Sequence, residues 1–304
     1  MASEQLAVAT RKVFPDRASW LEARRQGIGG SDAPAVLGVS RWKGPLAVYT
    51  EKLGIAEPEE ESAAMRWGRR LEAAIADAYQ EETGRRVTDL GPFTLTVHGA
   101  IPVLIATLDR LVECPERGPG VLQIKTTGWP GAEDWQEEPP LEAQVQLQHE
   151  MEIAGVPWGS LAVLIAGREF RWTDLERNEP FARLMVDKEL AFWKRVEEQE
   201  PPPPDALEAT REALRRLYPK DTGGTVVLPP EAVEWDRLRM EAKAQVKTWE
   251  AREAEAENFL KSAIGEATFG LLPGQEIRYS WKHGTRKGYT VEETEGRTLR
   301  RLIK

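Results

Sequence analysis

The feature that most constrains the fold is a strand, a turn and a second strand, with a charged residue inside each strand. The first strand is predicted over residues 106–112, and the second, after a Pro/Gly-rich turn at 114–120, over 121–127. Asp109 and Lys125 interrupt these apolar runs. Because a carboxylate or an ammonium is costly to bury unless it is paired or binds a metal, the hairpin predicts either a structural salt bridge or a catalytic site.

Composition limits the kinds of site that the chain can build. The chain has 304 residues, of which 41% are hydrophobic and 30% charged, and this favours one sizeable domain with an appendage, or two domains. One cysteine and three scattered histidines exclude a disulfide framework, a zinc site and an iron–sulfur cluster built from this chain. A metal would therefore be a hard cation held by oxygen ligands, such as Mg²⁺ or Mn²⁺.

Hydropathy and net charge bear on location and partners. The longest apolar run, Leu161 to Ala166, is far shorter than the roughly 20 residues of a membrane helix, and the N-terminus lacks a signal-peptide pattern. We therefore expect a cytoplasmic protein with no membrane partner. The net charge of -9 argues against non-specific coating of nucleic acid, but it permits a nuclease with a local basic channel.

A glycine-rich segment at 27–30 connects two predicted helices near the N-terminus. The first helix, 19–26, carries Arg24 near its end, and Ser31 or Asp32 is expected to be the N-cap of the second. Free N–H groups at such a turn, together with an arginine from the preceding helix, suit phosphate binding. Taken alone, the segment is more typical of a plain helix cap than of a phosphate site.

A helix over 65–79, with a stop signal at Thr83-Gly84, precedes the hairpin. Glu72 lies at the border of its apolar face, where a glutamate is usually solvent-reaching or salt-bridged. The functional alternative is a metal ligand that reaches over the sheet. The predicted buried face consists of Trp67, Gly68, Leu71, Ile75 and Tyr79.

A second helix, over 141–155, follows the hairpin and carries three glutamines, Gln144, Gln146 and Gln148. Neutral amides suit the holding of a phosphate or a catalytic water, and the alternative is an ordinary polar helix face. The apolar run 160–167 predicts a central strand. The remaining predictions are a strand at 170–173 that pairs with it, a helix at 177–198, a Pro-rich linker at 201–204, a long amphipathic helix at 229–265, and a terminal hairpin formed by 276–281 with a turn near Gly284.

The ordered set of motifs resembles the YqaJ-type viral recombinases, relatives of lambda exonuclease in the PD-(D/E)XK nuclease superfamily. The resemblance covers roughly residues 15 to 200, and it rests on these motifs: Trp20-Leu-x-x-Arg24, Gly27-Ile-Gly-Gly-Ser31-Asp32, Gly68-x-x-x-Glu72, Thr107-Leu-Asp109, Gln123-Ile-Lys125-Thr and Gln146-x-Gln148-x-x-Met151.

The resemblance implies an α/β fold with a PD-(D/E)XK nuclease core, in which helices flank a central mixed β-sheet and a helical C-terminal extension follows. The expected organisation is a nuclease domain over 1–200, a Pro-rich linker over 201–228, and a long helix with a terminal β-hairpin over 229–304.

It also implies roles for individual residues. Metal ligands would be Glu72, Asp109, Gln123 and the backbone carbonyl of Ile124. Lys125 would orient or deprotonate the attacking water, and Gln146 would brace the site. The terminal 5'-phosphate would contact Arg24 and Ser31, or the adjacent Arg25 in place of Arg24.

The implied function is a Mg²⁺-dependent exonuclease, with Mn²⁺ as a second candidate metal, that digests linear duplex DNA with a free end from 5' to 3'. It would leave single strand for phage-type recombination by an annealing protein, act as a homo-oligomer (a trimer by family resemblance), and be encoded by a phage or prophage in a bacterial cell. The family motif usually has Glu where this chain has Gln123. Two alternatives therefore remain, namely an endonuclease or repair nuclease on the same core, and a catalytically decayed DNA-end-binding recombination protein.

Overall fold

The structure is a computed structural model that describes residues 9–56, 62–285 and 297–301. The chain divides into two compact units, Met1–Pro219 and Lys220–Lys304. The first unit contains β1 (Thr10–Val13), α1 (Arg17–Arg25), α2 (Ala33–Val36), α3 (Pro45–Lys52), α4 (Ala63–Thr83), β2 (Arg86–Thr88), β3 (Thr94–Val97), β4 (Ile105–Ala106), β5 (Arg110–Cys114), β6 (Gly118–Thr127), α5 (Leu141–Ala154), β7 (Trp158–Ile165), β8 (Glu169–Glu176), α6 (Glu179–Glu198) and α7 (Glu208–Leu217). The second contains α8 (Ala232–Ile264), β9 (Phe269–Leu271) and β10 (Arg278–Ser280).

A five-stranded mixed sheet, in the order β2-β5-β6-β7-β8, forms the centre of the first unit. β6 and β7 run parallel, and the other neighbouring pairs are antiparallel. β7 is buried along nearly its whole length between β6 and β8, which explains its uninterrupted apolar sequence. The prediction of a central mixed sheet flanked by helices is thus confirmed.

The predicted hairpin forms, but its first strand is shorter than expected. Ile105 and Ala106 belong to β4, which pairs with β3 in a separate three-stranded sheet, and β5 begins only at Arg110. Asp109 therefore lies where the chain passes from one sheet to the other. Since Arg110 is opposite Leu122 in the antiparallel pairing, Asp109 comes beside Gln123.

α4 lies against the large sheet through only part of its length. Ile75 and Tyr79 are buried as predicted, whereas Trp67 is 57% exposed, so its assignment to the buried face was wrong. The first two turns of α4 are almost entirely exposed, and the Arg70 guanidinium lies 5.3 Å from the centre of the Trp67 ring. The indole is therefore a surface side chain, covered on one face by a cation.

α5 is anchored by a buried ion pair at His149. Its Nδ1 lies 2.8 Å from Glu189 Oε1 on α6, and its Nε2 lies 3.0 Å from the carbonyl oxygen of Ile105 on β4. Burial alone would lower the pKa of His149, but the Glu189 carboxylate and the Ile105 carbonyl raise the pKa to about 9. The protonated imidazole donates to both acceptors, and it thereby joins α5, α6 and β4.

The segment predicted as a linker contains a packed helix. α7 lies within 201–228, and its Thr210 and Ala213 are buried because α7 packs against α3. Only the proline run at its start has the extended character that we expected. The division into a nuclease domain over 1–200, a linker over 201–228 and a C-terminal extension over 229–304 stays a prediction.

The second unit begins with the long helix α8, as predicted. The predicted terminal strand also exists as β10, but it pairs with β9, which precedes it, through a turn over 272–277. Pro273 and Gly274 lie in this turn. The hairpin turn predicted near Gly284 would lead into residues after 285, which lie outside the described residues. Residues 286–296 lie outside the described residues. Within the described ranges, no helix is long and apolar enough to cross a membrane.

Replacing His149 with Leu is expected to lower the free energy of unfolding by about 3–5 kcal/mol, because Glu189 is left buried without its cation. The double substitution His149→Leu with Glu189→Leu should recover much of this loss. Urea unfolding followed by circular dichroism measures both. A single variant no less stable than the double variant would contradict this account of the α5 anchor.

Candidate active site

The Asp109 carboxylate is held by the neighbouring strand. Its Oδ2 accepts a hydrogen bond of 2.7 Å from Gln123 Nε2 and another of 2.7 Å from the backbone N–H of Ile124. Both donors belong to β6, where Gln123 is buried and the Ile124 carbonyl is adjacent. Three predicted site residues, Asp109, Gln123 and Ile124, are therefore in contact through hydrogen bonds to one carboxylate oxygen.

A chain of amide hydrogen bonds extends this group to α5. Lys125 Nζ donates to Gln146 Oε1 at 2.7 Å, and Gln146 Nε2 donates to Gln123 Oε1 at 3.1 Å. The same Nε2 also donates to Glu150 Oε1 at 2.9 Å. Gln146 thus fixes the position of the Lys125 ammonium relative to Gln123, as a bracing residue would.

The other two glutamines of α5 lie elsewhere. Gln144 donates to the carbonyl of Pro139, and Gln148 contacts Glu176 and Asn178 at the far end of β8. They stabilise loop and strand connections, which agrees with the alternative interpretation that these glutamines form an ordinary polar helix face.

Glu72 is paired with a cation. Its Oε1 accepts a hydrogen bond from Arg110 Nη1, which also donates to the backbone carbonyl of Asp109. The Glu72 side chain is 27% exposed and that of Arg110 9%. The salt-bridge interpretation of Glu72 therefore describes this structure, and its role as a metal ligand stays a prediction.

Asp109 and Glu150 are acids in an unfavourable electrostatic setting. Burial, and then the nearby Glu72 carboxylate, raise the pKa of Asp109 to about 6. Burial, and then the Asp109 carboxylate, raise the pKa of Glu150 to about 8. Two acids that repel each other in a buried position provide a favourable environment for a cation.

Glu150 is a site residue that the sequence interpretation missed. The available signal was its position, one helical turn after Gln146. Glu150 did not stand out from Glu142 and Glu152 on the same helix, because helical periodicity alone does not show which face the sheet covers.

The predicted phosphate-binding residues form a second cluster. Arg24 Nη2 lies 3.0 Å from Ser31 Oγ, and its guanidinium stacks at 4.7 Å on the ring of Trp20. Arg25 instead donates to Glu22 on its own helix at 2.7 Å. The structure brings Arg24, and not Arg25, together with Ser31.

Asp32 does not act as the helix cap that we expected. It occupies the N-cap position of α2, but its side chain makes no capping hydrogen bond. Its Oδ2 accepts from the Gly29 N–H at 3.0 Å and from Lys52 Nζ at 2.6 Å, and Lys43 Nζ lies 3.6 Å from Oδ1. Burial alone would raise the pKa of Asp32, but these lysines hold it well below its usual range. The Gly29 N–H is therefore already occupied, contrary to the expectation of a free N–H group there.

Gly30 connects the two clusters. A Cβ atom at this position would lie 2.8 Å from Glu150 Oε1 and 3.3 Å from Gln146 Cγ. A side chain at position 30 would therefore require Glu150 to move, and with glycine there the turn that carries Ser31 packs directly on the amide and carboxylate of α5.

The donor set suits a hard divalent cation. It offers the Asp109 carboxylate and the Ile124 carbonyl, which are oxygen ligands of the kind that Mg²⁺ and Mn²⁺ prefer. The Gln123 amide oxygen accepts from Gln146 in this structure, so it would join them only after the amide group turns over. One oxygen of the adjacent Glu150, Oε2, is buried without a hydrogen-bond partner among the described residues. In the part of the chain that the structure describes, no three His, Cys, Asp or Glu side chains converge as a metal site. A metal would therefore depend on neutral oxygens as well as carboxylates.

Comparison with known proteins connects this site to a family. Residues 19–157 match the sequence profile described as the YqaJ-like viral recombinase domain. The YqaJ protein of Bacillus subtilis (strain 168) is 28% identical over 289 residues, which cover 93% of this chain and 88% of that protein.

Two structures of the alkaline exonuclease LHK-Exo from Laribacter hongkongensis share the fold. The complex with dAMP is 22% identical with a TM-score of 0.50, over 66% of this chain and 97% of that one. The other structure is 21% identical with a TM-score of 0.50, over 66% and 100%. The predicted mixed α/β fold, with helices that flank a central sheet, is therefore one that this chain shares with these two structures.

Replacing Asp109 with Asn should stabilise the metal-free protein. Because the pKa of Asp109 is raised, the folded state holds its proton more tightly, so stability falls as pH rises from 3.8 to about 6. At about pH 8 the variant should be more stable by on the order of 1 kcal/mol, and near pH 4 the two should be equal. Thermal unfolding in chelator measures this, with the exposed Asp187→Asn as control. Destabilisation at both pH values would contradict it.

Proposed function

We propose that this protein is a metal-dependent deoxyribonuclease that digests linear duplex DNA from its 5' end, a proposal supported by the match of residues 19–157 to the YqaJ-like viral recombinase domain. The observation that carries the proposal is the Lys125 ammonium, held by Gln146 beside the Asp109, Gln123 and Ile124 group. This combination suits phosphodiester hydrolysis, which needs an oriented water and a neutralised phosphate.

The chain's own residues would divide this work. Lys125 is half-buried, and its Nζ is fixed through Gln146, so it would orient the attacking water or, as the neutral amine, deprotonate it. Asp109, Gln123 and the Ile124 carbonyl would hold Mg²⁺, with Mn²⁺ as a substitute, and Glu72 would join them if it released Arg110. When bound, such an ion supplies charge neutralisation for the phosphate and the leaving oxygen.

The polarity of the proposed activity rests on Arg24 and Ser31. A guanidinium and a hydroxyl separated by 3.0 Å can together bind the oxygens of a terminal phosphate. Stacking on Trp20 limits the freedom of the arginine, and the Gly30 contact ties this cluster to α5. A 5'-phosphate bound here would position the adjacent phosphodiester for cleavage.

The other features of the proposal concern partners and context. We propose that the substrate is duplex DNA with a free end, and that a single-strand annealing protein uses the product in phage-type recombination in a bacterial cell. Self-association, as a trimer in the family resemblance, would involve the second unit, where α8 has no buried residue and exposes Trp235, Val246 and Trp249.

A DNA-end-binding protein without catalytic activity is the second candidate. It is favoured by Gln123, a neutral amide whose oxygen is directed to Gln146. The nuclease proposal and this alternative differ in whether Mg²⁺ or Mn²⁺ supports any cleavage. An endonuclease on the same core would in addition cut closed circular DNA.

Replacing Lys125 with Ala should reduce digestion of linear duplex DNA in Mg²⁺ by about 100-fold or more, because the proton acceptor is lost. The exposed Lys188→Ala variant is the control for a lost positive charge. Timed gel assays on linear and closed circular DNA measure the rates. Wild-type rates in the Lys125 variant would refute its role, and equal cutting of circles would favour an endonuclease.

Replacing Arg24 with Ala should slow digestion of 5'-phosphorylated ends by roughly tenfold, because a charged hydrogen bond is worth about 1.5–3 kcal/mol. Ends with a 5'-hydroxyl should be little affected by the substitution. The adjacent Arg25→Ala, whose side chain pairs with Glu22, is a matched control. Initial rates on end-labelled duplexes with and without the phosphate test this, and an equal effect on both ends would remove the basis for the polarity.

A further inference from the structure

Glu150 is the least balanced carboxylate near the candidate active site. It is 1% exposed, and its Oε1 accepts a hydrogen bond only from the neutral amide of Gln146. Its Oε2 is buried with no hydrogen-bond partner among the described residues. A buried carboxylate in this state lowers stability and is expected to serve a purpose.

A comparison with the other buried acids of the first unit shows how unusual this is. Asp32 has Lys52 at 2.6 Å, and Glu189 has His149 at 2.8 Å. No cation lies within ion-pair distance of Glu150 in the part of the chain that the structure describes. Glu150 therefore has no direct ion-pair partner among the described residues, and a cation bound nearby would favour its charged form.

The position of Glu150 indicates what that is. Gln146 Nε2 donates both to Glu150 Oε1 and to Gln123 Oε1, so the Gln146 amide bridges these two side chains. Gln123 in turn donates to Asp109. β6 itself carries no acidic residue, and Glu72 is neutralised by Arg110. Position 30, which packs against the Glu150 carboxylate, is a glycine, so it provides no positively charged side chain there.

We propose that Glu150 supplies the second negative charge of the cation site, acting through Gln146 on the neutral Gln123. This inference rests on the proposed metal-dependent function and identifies how the site reaches sufficient charge without an acid on β6. Glu150 is a positioning and charge-balancing residue in this scheme. Its hydrogen bond also orients the Gln146 amide so that Oε1 faces Lys125.

The test removes the carboxylate at position 150, adds one at position 123, and measures metal binding in the absence of DNA. Mn²⁺ affinity is determined by isothermal titration calorimetry for the wild type, Glu150→Gln, Gln123→Glu and the double variant. Glu150→Gln should weaken Mn²⁺ binding by about 10–100-fold, as is typical when a partner of a metal ligand is lost. The double variant, with the carboxylate restored on β6, should recover most of that loss.

Controls separate this role from a structural one. Glu142→Gln removes one negative charge from the same helix at a half-buried position outside the site, and it should leave Mn²⁺ affinity unchanged. If Glu150 were only structural, Glu150→Gln would alter the unfolding temperature in chelator but not the affinity for Mn²⁺. If that variant fails to fold, Glu150→Asp, which retains the charge, should bind Mn²⁺ about as tightly as the wild type, and clearly weaker binding by Glu150→Asp would contradict charge balance as the role of Glu150.

The outcomes distinguish this inference from the proposed function. Wild-type affinity in Glu150→Gln, with Mn²⁺ bound normally by the wild type, would overturn the inference and leave the metal-dependent nuclease intact. Absence of Mn²⁺ binding by the wild type would instead overturn the proposed function and this inference together. Weakening by Glu150→Gln without recovery in the double variant would show that charge at position 123 cannot replace Glu150, which contradicts charge balance as its role.

Discussion

The buried ion pair between His149 and Glu189 is the interaction on which the candidate site depends. It joins α5 to α6, and the second ring nitrogen of His149 joins α5 to β4. Gln146 lies on the same helix, one turn before Glu150, and its amide contacts β6 only if α5 keeps this position. A buried pair of this kind costs desolvation energy, and what it provides here is a unique placement of one helix.

The treatment of buried charge differs between the two clusters of the first unit. At the glycine-rich turn, Asp32 is surrounded by lysines and by a backbone N–H, so its charge is balanced within the chain. At the candidate metal site, Asp109 and Glu150 repel each other, and their pKa values rise to about 6 and about 8. The first arrangement stabilises the fold, whereas the second lowers stability at neutral pH.

Periodicity and turn residues predicted most of the elements correctly. The apolar run that became β7 and the glycine that ends α5 are local signals, and they specify strand and helix without knowledge of neighbours. The errors occurred where packing decides. Trp67 lies in the exposed first two turns of α4, and α7 formed within the expected linker because α3 offers a surface to pack on.

The sequence by itself determined the order of the motifs, the choice of oxygen ligands over cysteine and histidine, and the resemblance to a recombination nuclease family. Only the tertiary structure decided which polar side chains meet. It paired Arg24 rather than Arg25 with Ser31 and neutralised Glu72 with Arg110. It also placed Glu150 and Gln123 where both accept hydrogen bonds from the Gln146 amide. The reason is physical: whether a charge is balanced depends on contacts between residues far apart in the chain, and spacing along one helix or strand does not specify them.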